Sequence, residues 1–157
     1  MTPPFEGFVG GVPFATLPGR VPADPGVYVV VWPRPAERPD FRLSSPAGQF
    51  KGKDPSVSVE RLTGKWIDGE SVVYIGKADA RRGRRGGLAA RLDEYRRFGA
   101  GEKVAHWGGR LVWQIEQAPE LIVWWRTVDS PVVEERRMLG EFMASHDGRL
   151  PFANLRR

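Results

Sequence analysis

The residues that raise a chemical question are polar groups set among apolar ones. With about 100° per residue beyond Pro131, Glu135 falls in the middle of a stripe made by Met138, Leu139, Phe142 and Met143. Glu134, Arg136, Arg137 and Glu141 lie off that stripe. A carboxylate aimed at a core needs a metal, an arginine or a water-filled cleft; a buried structural ion pair would meet the same need. Arg91 repeats the anomaly, three residues after Leu88 and four before Tyr95. It either snorkels past its neighbours to solvent or presents its planar donor fork to a carboxylate or a phosphate. Tyr28 and Tyr74 each sit in a short apolar run beside a glycine. Taken singly, each reads as a core aromatic. The chain has no Cys and only two His, His106 and His146. Disulfides, thiolate metal sites and a His-rich zinc site are therefore excluded. A catalytic metal would be held mainly by oxygen, which points to a single Mg²⁺ or Mn²⁺.

These groups need elements to position them. Residues 1–25, rich in Pro and Gly, read as an irregular lead-in. The β-branched and aromatic run 27–32 predicts a buried strand, and residues 71–76 a second one ending at Gly76. Between them, residues 33–70 carry five Pro and scattered Gly. This segment reads as a long insertion with little regular structure, residues 62–67 forming at most a short extended piece. Leu88, Leu92 and Tyr95 recur with helical period, and Gly99 and Gly101 stop the pattern. Residues 111–115 and 120–126 read as two further strands, joined as a hairpin by a turn at Gln117, Ala118 and Pro119. Ser130 and Pro131 predict a capped helix start, with the helix running to about Ser145. His146 then falls where the helix C-terminal dipole favours it. The sum is a single α/β domain (an α+β sandwich) with a small central mixed or antiparallel sheet flanked by helices. Regular βαβ alternation and glycine-rich nucleotide loops of the Rossmann or Walker type are absent from the sequence.

The 157 residues suit one domain, and 41% hydrophobic residues with six Trp, eight Phe and three Tyr argue against disorder. No run approaches the roughly 18 apolar residues of a membrane span. The start of the chain lacks a basic segment followed by an apolar one, so a cytoplasmic protein is expected. The net charge is +5. Residues 77–98 hold eight basic residues and three acids, which accounts for the whole excess. Arg81, Arg82, Arg84, Arg85, Arg96 and Arg97 form either a solvated basic loop or a patch that meets phosphates.

Together these residues carry a resemblance. Gly26-Val27-Tyr28 and Tyr74-Ile75-Gly76 resemble the two tripeptides that name the GIY-YIG nuclease family, with Val in place of Ile in the first. Lys77-Ala78 follows as in the repair-nuclease branch. Arg91 with Tyr95 looks like the family's helix arginine and its companion tyrosine. Glu135 with Met138-Leu139 resembles the metal-binding Glu, with Glu141 the alternate by spacing. Residues 151–154 resemble the closing Pro-x-x-Asn. The five blocks keep their order across residues 26–154. The links after Tyr28, Lys77 and Glu135 are longer than the family's usual ones, and Arg84 would fit the usual spacing from Lys77 but lies among glycines.

The resemblance implies a GIY-YIG-like fold and metal-dependent hydrolysis of a nucleic-acid phosphodiester, with DNA as the first substrate and RNA the alternative. It implies that Tyr28 activates or orients water, helped by the cations Lys77 and Arg91. Arg91 would hold the scissile phosphate, and Glu135 one Mg²⁺ or Mn²⁺. Tyr74 would hydrogen-bond the phosphate or its water, and Asn154 would orient the site from the tail. His106 would take a general-base or phosphate role, or else serve only in packing. The protein would act as a monomer or homodimer. The rival readings are a nucleic-acid-binding module without turnover and a protein whose basic loop binds an acidic partner.

Overall fold

The computed structural model describes residues 2–82 and 85–155. Its strands are β1 (Val9–Pro13), β2 (Gly26–Val31), β3 (Val72–Ala78) and β4 (Ile122–Thr127). Its α-helices are α1 (Val59–Lys65), α2 (Gly87–Gly99) and α3 (Pro131–Ala144). The four strands form one wholly antiparallel sheet in the order β1-β4-β2-β3. This is an α+β fold, and the sheet is antiparallel where the sequence left mixed pairing open. Among the described residues, no helix is long and apolar enough to cross a membrane.

β2 is buried along its whole length, as its unbroken apolar run requires, because it is covered on both faces. Tyr28, Val30 and Trp32 point to a core shared with α2, the 3₁₀ turns at Trp107–Gln114 and Ala118–Glu120, and Trp66 and Phe152. Val27, Val29 and Val31 point the other way, to Met138, Leu139 and Phe142 of α3. Burying a side chain of this size removes roughly 1.5–3 kcal/mol of unfavourable exposure, so the two cores fix both helices against one sheet.

Four sequence expectations need correction. The lead-in contains β1, which pairs with β4 from Val9 opposite Trp125 to Pro13 opposite Ile122. Gly10 and Gly11 disguise it as a loop. A Cβ on Gly10 would stand 2.6 Å from Cη2 of Trp125, and one on Gly11 2.7 Å from Cη2 of Trp124. The glycines let these indoles lie over the strand. The insertion contains α1, whose N-terminus is capped by the Ser58 hydroxyl accepting from the Arg61 amide at 3.2 Å. Seven residues are too few to print a helical period. Residues 111–115 are not a strand and make no hairpin with β4. They lie in and just beyond the 3₁₀ turns, and Ile115 forms a single bridge with Phe41. Short apolar runs record burial without conformation. Pro131 does open α3, but Ser130 makes no side-chain cap.

The free edge of β3 is covered by the tail. The Ala153 amide donates to the Val73 carbonyl at 2.8 Å. The buried Asn154 side chain then pairs with Ile75, accepting from its amide and donating to its carbonyl, both at 2.9 Å. A side-chain amide thus stands in for one more strand residue, blunting an exposed edge. These edge bonds reach Val73 and Ile75; Lys77, the next outward residue, opens into a cavity.

Candidate active site

That cavity, of about 260 Å³, is lined by Tyr28, Tyr74, Lys77, Asp79, Arg81, Arg91 and Glu135. Its walls come from β2, β3, α2, α3 and the segment after β3. Two glycines make this convergence fit. Gly26 lets β2 approach α2, since a Cβ there would meet the Arg126 carbonyl and stand 2.7 Å from Cδ1 of Leu88. Gly76 lies opposite Tyr28 in the β2–β3 register. A Cβ there would stand 2.5 Å from the Tyr28 hydroxyl oxygen, so the missing side chain is the space the Tyr28 ring fills.

The Tyr28 hydroxyl lies 2.7 Å from Nε2 of His106. His106 is buried and stacks on Tyr95, with ring centroids 3.6 Å apart and planes 8° from parallel. Its Nδ1 is buried with no hydrogen-bond partner among the described residues. Tyr95 is fixed in turn by donating to the Gly109 carbonyl at 2.7 Å. The Tyr74 ring stands 6.1 Å from Tyr28 and 5.5 Å from Tyr95. Arg91 donates from Nη1 to the Ala105 carbonyl at 2.8 Å and stands 3.6 Å from Glu94. One side chain therefore joins α2 to the segment that delivers His106.

Burial sets the protonation states. It pushes the Tyr28 phenol well above its usual range, with Tyr74 adding to the rise and Arg91 opposing it. Tyr74 is pushed up to about 12, mainly by burial, and Tyr95 is raised for the same first reason. His106 is held well below the usual imidazole range by burial and then by the Arg91 charge. It is neutral at pH 7, with a lone pair available at one ring nitrogen. Burial also raises the Glu135 carboxyl, against the pull of Lys77.

The donor set fits a magnesium-class ion. The Glu135 carboxylate is half-buried and makes no ion pair or hydrogen bond among the described residues, and Asp79 shares its cavity. Among the described residues, no group of three or more His, Asp or Glu could hold a metal. One or two carboxylates completed by water and substrate oxygens is how Mg²⁺ is commonly bound, whereas an all-protein cage is not.

The other expected residues sort by position. Asn154 is not among the residues lining the cavity; both ends of its amide are spent on Ile75, so it ties the tail to β3. Tyr95 and His106 form a layer behind Tyr28. Glu141, the alternate, is exposed, bonded to Arg137 at 2.7 Å and not among the residues lining the cavity. The basic patch is largely spent on internal pairs. Arg81 is bidentate to Glu94 at 2.5 and 2.7 Å. Arg96 pairs with Asp93 at 2.9 Å, and Arg97 with Glu102 at 2.9 Å. Arg82 and Arg85 are exposed. Arg84 lies outside the described residues. His146 is more than a helix-end residue, since its Nε2 lies 2.7 Å from Glu70 and its ring stacks on Phe142. Asp79, paired with Lys77, was missed. Its signal is its place two residues after Lys77, which puts both on one face of an extended chain.

Among known proteins, no family model, curated protein or solved structure matches this chain.

Proposed function

We propose that this chain is a metal-dependent endonuclease that hydrolyses DNA phosphodiesters with a GIY-YIG-type site. One observation carries the reading. Tyr28, Tyr74, Lys77, Arg91 and Glu135, chosen on residue type, helical phase and resemblance, line a single cavity although they come from four separate elements.

The arrangement suits phosphodiester chemistry, which needs an activated water, countercharge for the phosphoryl oxygens and help for the leaving oxygen. An Mg²⁺ or Mn²⁺ ion held by Glu135 would supply Lewis-acid polarisation. The protein groups supply the rest. Tyr28 is too poor an acid to act as a free phenolate at pH 7. It takes a proton from the attacking water at its hydroxyl oxygen as it passes its own to Nε2 of neutral His106, 2.7 Å away. Arg91 gives the phosphate a guanidinium fork and favours the ionised form of Tyr28. Tyr74 stays protonated and serves as a neutral hydrogen-bond donor. Lys77, on the α3 side of β3, offsets charge beside Glu135.

The test is nicking of supercoiled plasmid with Mg²⁺ or Mn²⁺, alongside linear, branched and RNA substrates. Glu135→Gln and Arg91→Ala proteins that keep the native circular dichroism should lose cleavage by about 10²-fold or more. Full activity in either folded variant overturns the site. Salt-sensitive binding by the wild-type chain with no cleavage in either metal overturns the nuclease reading and leaves a binding module.

A further inference from the structure

A hydrogen bond links a residue of the cavity to a second, larger opening. A groove of about 690 Å³ is lined by Gln49, Phe50, Lys51, Lys103 and Ala105, among others, and none of its lining residues is acidic. Ala105 joins the two spaces: it lines the groove, and its carbonyl accepts from Arg91, which lines the cavity. Phe50 is 37% exposed. A tight turn presents it, with Phe50 and Lys53 exchanging backbone hydrogen bonds at 2.9 and 3.2 Å. One side of the Phe50 ring is backed by Trp107 at a centroid distance of 5.7 Å, and Arg110 lies 4.3 Å over that indole. Lys51 reaches over the Phe50 ring, its Nζ 5.3 Å from the centroid.

We propose that this groove holds an unpaired nucleotide of the DNA strand being cut, its base stacked on Phe50 and its phosphates met by Lys51 and Lys103. The proposal rests on the nuclease reading above. Packed against Trp107 and approached by the flexible Lys51, the Phe50 ring still keeps part of its surface open for stacking, and every nucleobase has a complementary face. The exposed lysines, with no acid in the lining, match the charge of a sugar-phosphate backbone. The Arg91–Ala105 hydrogen bond sets Arg91 beside one wall of the groove, so a strand seated there would continue toward Arg91. A paired base within a duplex offers no free face to Phe50, so the occupant must lie out of the helical stack.

The test reads binding without turnover, by fluorescence anisotropy in EDTA. The probes are a short single-stranded DNA, the blunt duplex of the same sequence and the matching single-stranded RNA. Phe50→Ala and Phe50→Leu should each weaken single-stranded DNA binding by about fivefold or more, with duplex affinity held. Phe50→Trp should restore it, and Lys51→Gln should lower its salt dependence. Equal losses on duplex and single strand, a Leu variant as good as wild type, or tighter binding of RNA would each overturn the proposal. The plasmid assay keeps the two readings apart. Binding through Phe50 without any cutting refutes the nuclease and leaves the stacking. Cutting with an affinity indifferent to Phe50 refutes the stacking alone.

Discussion

Tyr28 and Gly76 face each other across β2 and β3, and a Cβ on residue 76 would stand 2.8 Å from Cε2 of Tyr28 and 2.5 Å from its hydroxyl oxygen. Gly76→Ala must therefore move the ring and carry its hydroxyl away from His106. Overpacking of this kind costs about 1–3 kcal/mol. A misplacement near 1 Å at a reacting group costs about 10²-fold in rate. The expected result is a folded protein with a lowered urea midpoint and a rate reduced by about two orders of magnitude. Native activity in Gly76→Ala would separate the Tyr28 ring position from function. His106 gives a prediction of a different kind. Its proton affinity in the folded state lies below that of the unfolded chain, so the unfolded chain takes up the extra proton as pH falls below about 6.5. Stability is thus intact above that pH and declines below it, with a slope approaching about 1.4 kcal/mol per pH unit for one proton. Urea unfolding of wild type and His106→Gln between pH 5 and 7.5 tests this. His146 is present in both proteins, so the difference between the slopes belongs to His106. Identical slopes would mean that the buried imidazole titrates normally.

At the scale of elements, the edge of β3 decides where the cavity opens. Asn154 occupies the amide and carbonyl of Ile75, and its loss leaves both buried without partners. Each orphaned group costs about 1–3 kcal/mol. Asn154→Ala should lower stability by at least that much while leaving the cavity's own side chains intact. Asn154→Asp can accept from the amide but cannot donate to the carbonyl, so it should be impaired as well. A wild-type urea midpoint in both would show that the tail is not what closes the edge. The same elements explain what was legible beforehand. α2 and α3 announce themselves because their apolar residues recur with the helical period, and β2 and β3 because each is a short β-branched and aromatic run beside a glycine. Glu135 and Arg91 stood out because they break that period. β1 was hidden, since Gly10 and Gly11 make room for tryptophans far along the chain. α1 was too short to show a period. The Tyr28–His106 bond joins residues 78 apart in sequence, and no local pattern records such a contact. Asn154 was found by resemblance, but its work lies in two backbone bonds that only the folded tail reveals.

At the scale of the molecule, the basic run behind the +5 charge narrows, among the described residues, to two unpaired side chains. Lys77, Arg81, Arg91, Arg96 and Arg97 each stand within ion-pair distance of Asp79, Asp93, Glu94 or Glu102. Such pairs at or near the surface contribute little to stability, about 0–1 kcal/mol. They nevertheless balance charge that would otherwise be offered to phosphates. Arg82 and Arg85 are exposed and have no carboxylate partner among the described residues. A cation that neutralises a phosphate releases condensed counterions, and each such contact adds nearly one unit to the slope of log affinity against log salt. Arg82→Gln and Arg85→Gln should each reduce that slope by about 1 on duplex DNA, with cleavage at saturating DNA unchanged. Arg96→Gln and Arg97→Gln should change it less, because each side chain must leave its carboxylate before it can meet a phosphate. The measurement is affinity in EDTA across a salt series. A slope that falls as far in Arg96→Gln as in Arg85→Gln would mean that the internal pairs open on contact with DNA. The whole run from Lys77 to Arg97, and not two residues of it, would then be the clamp.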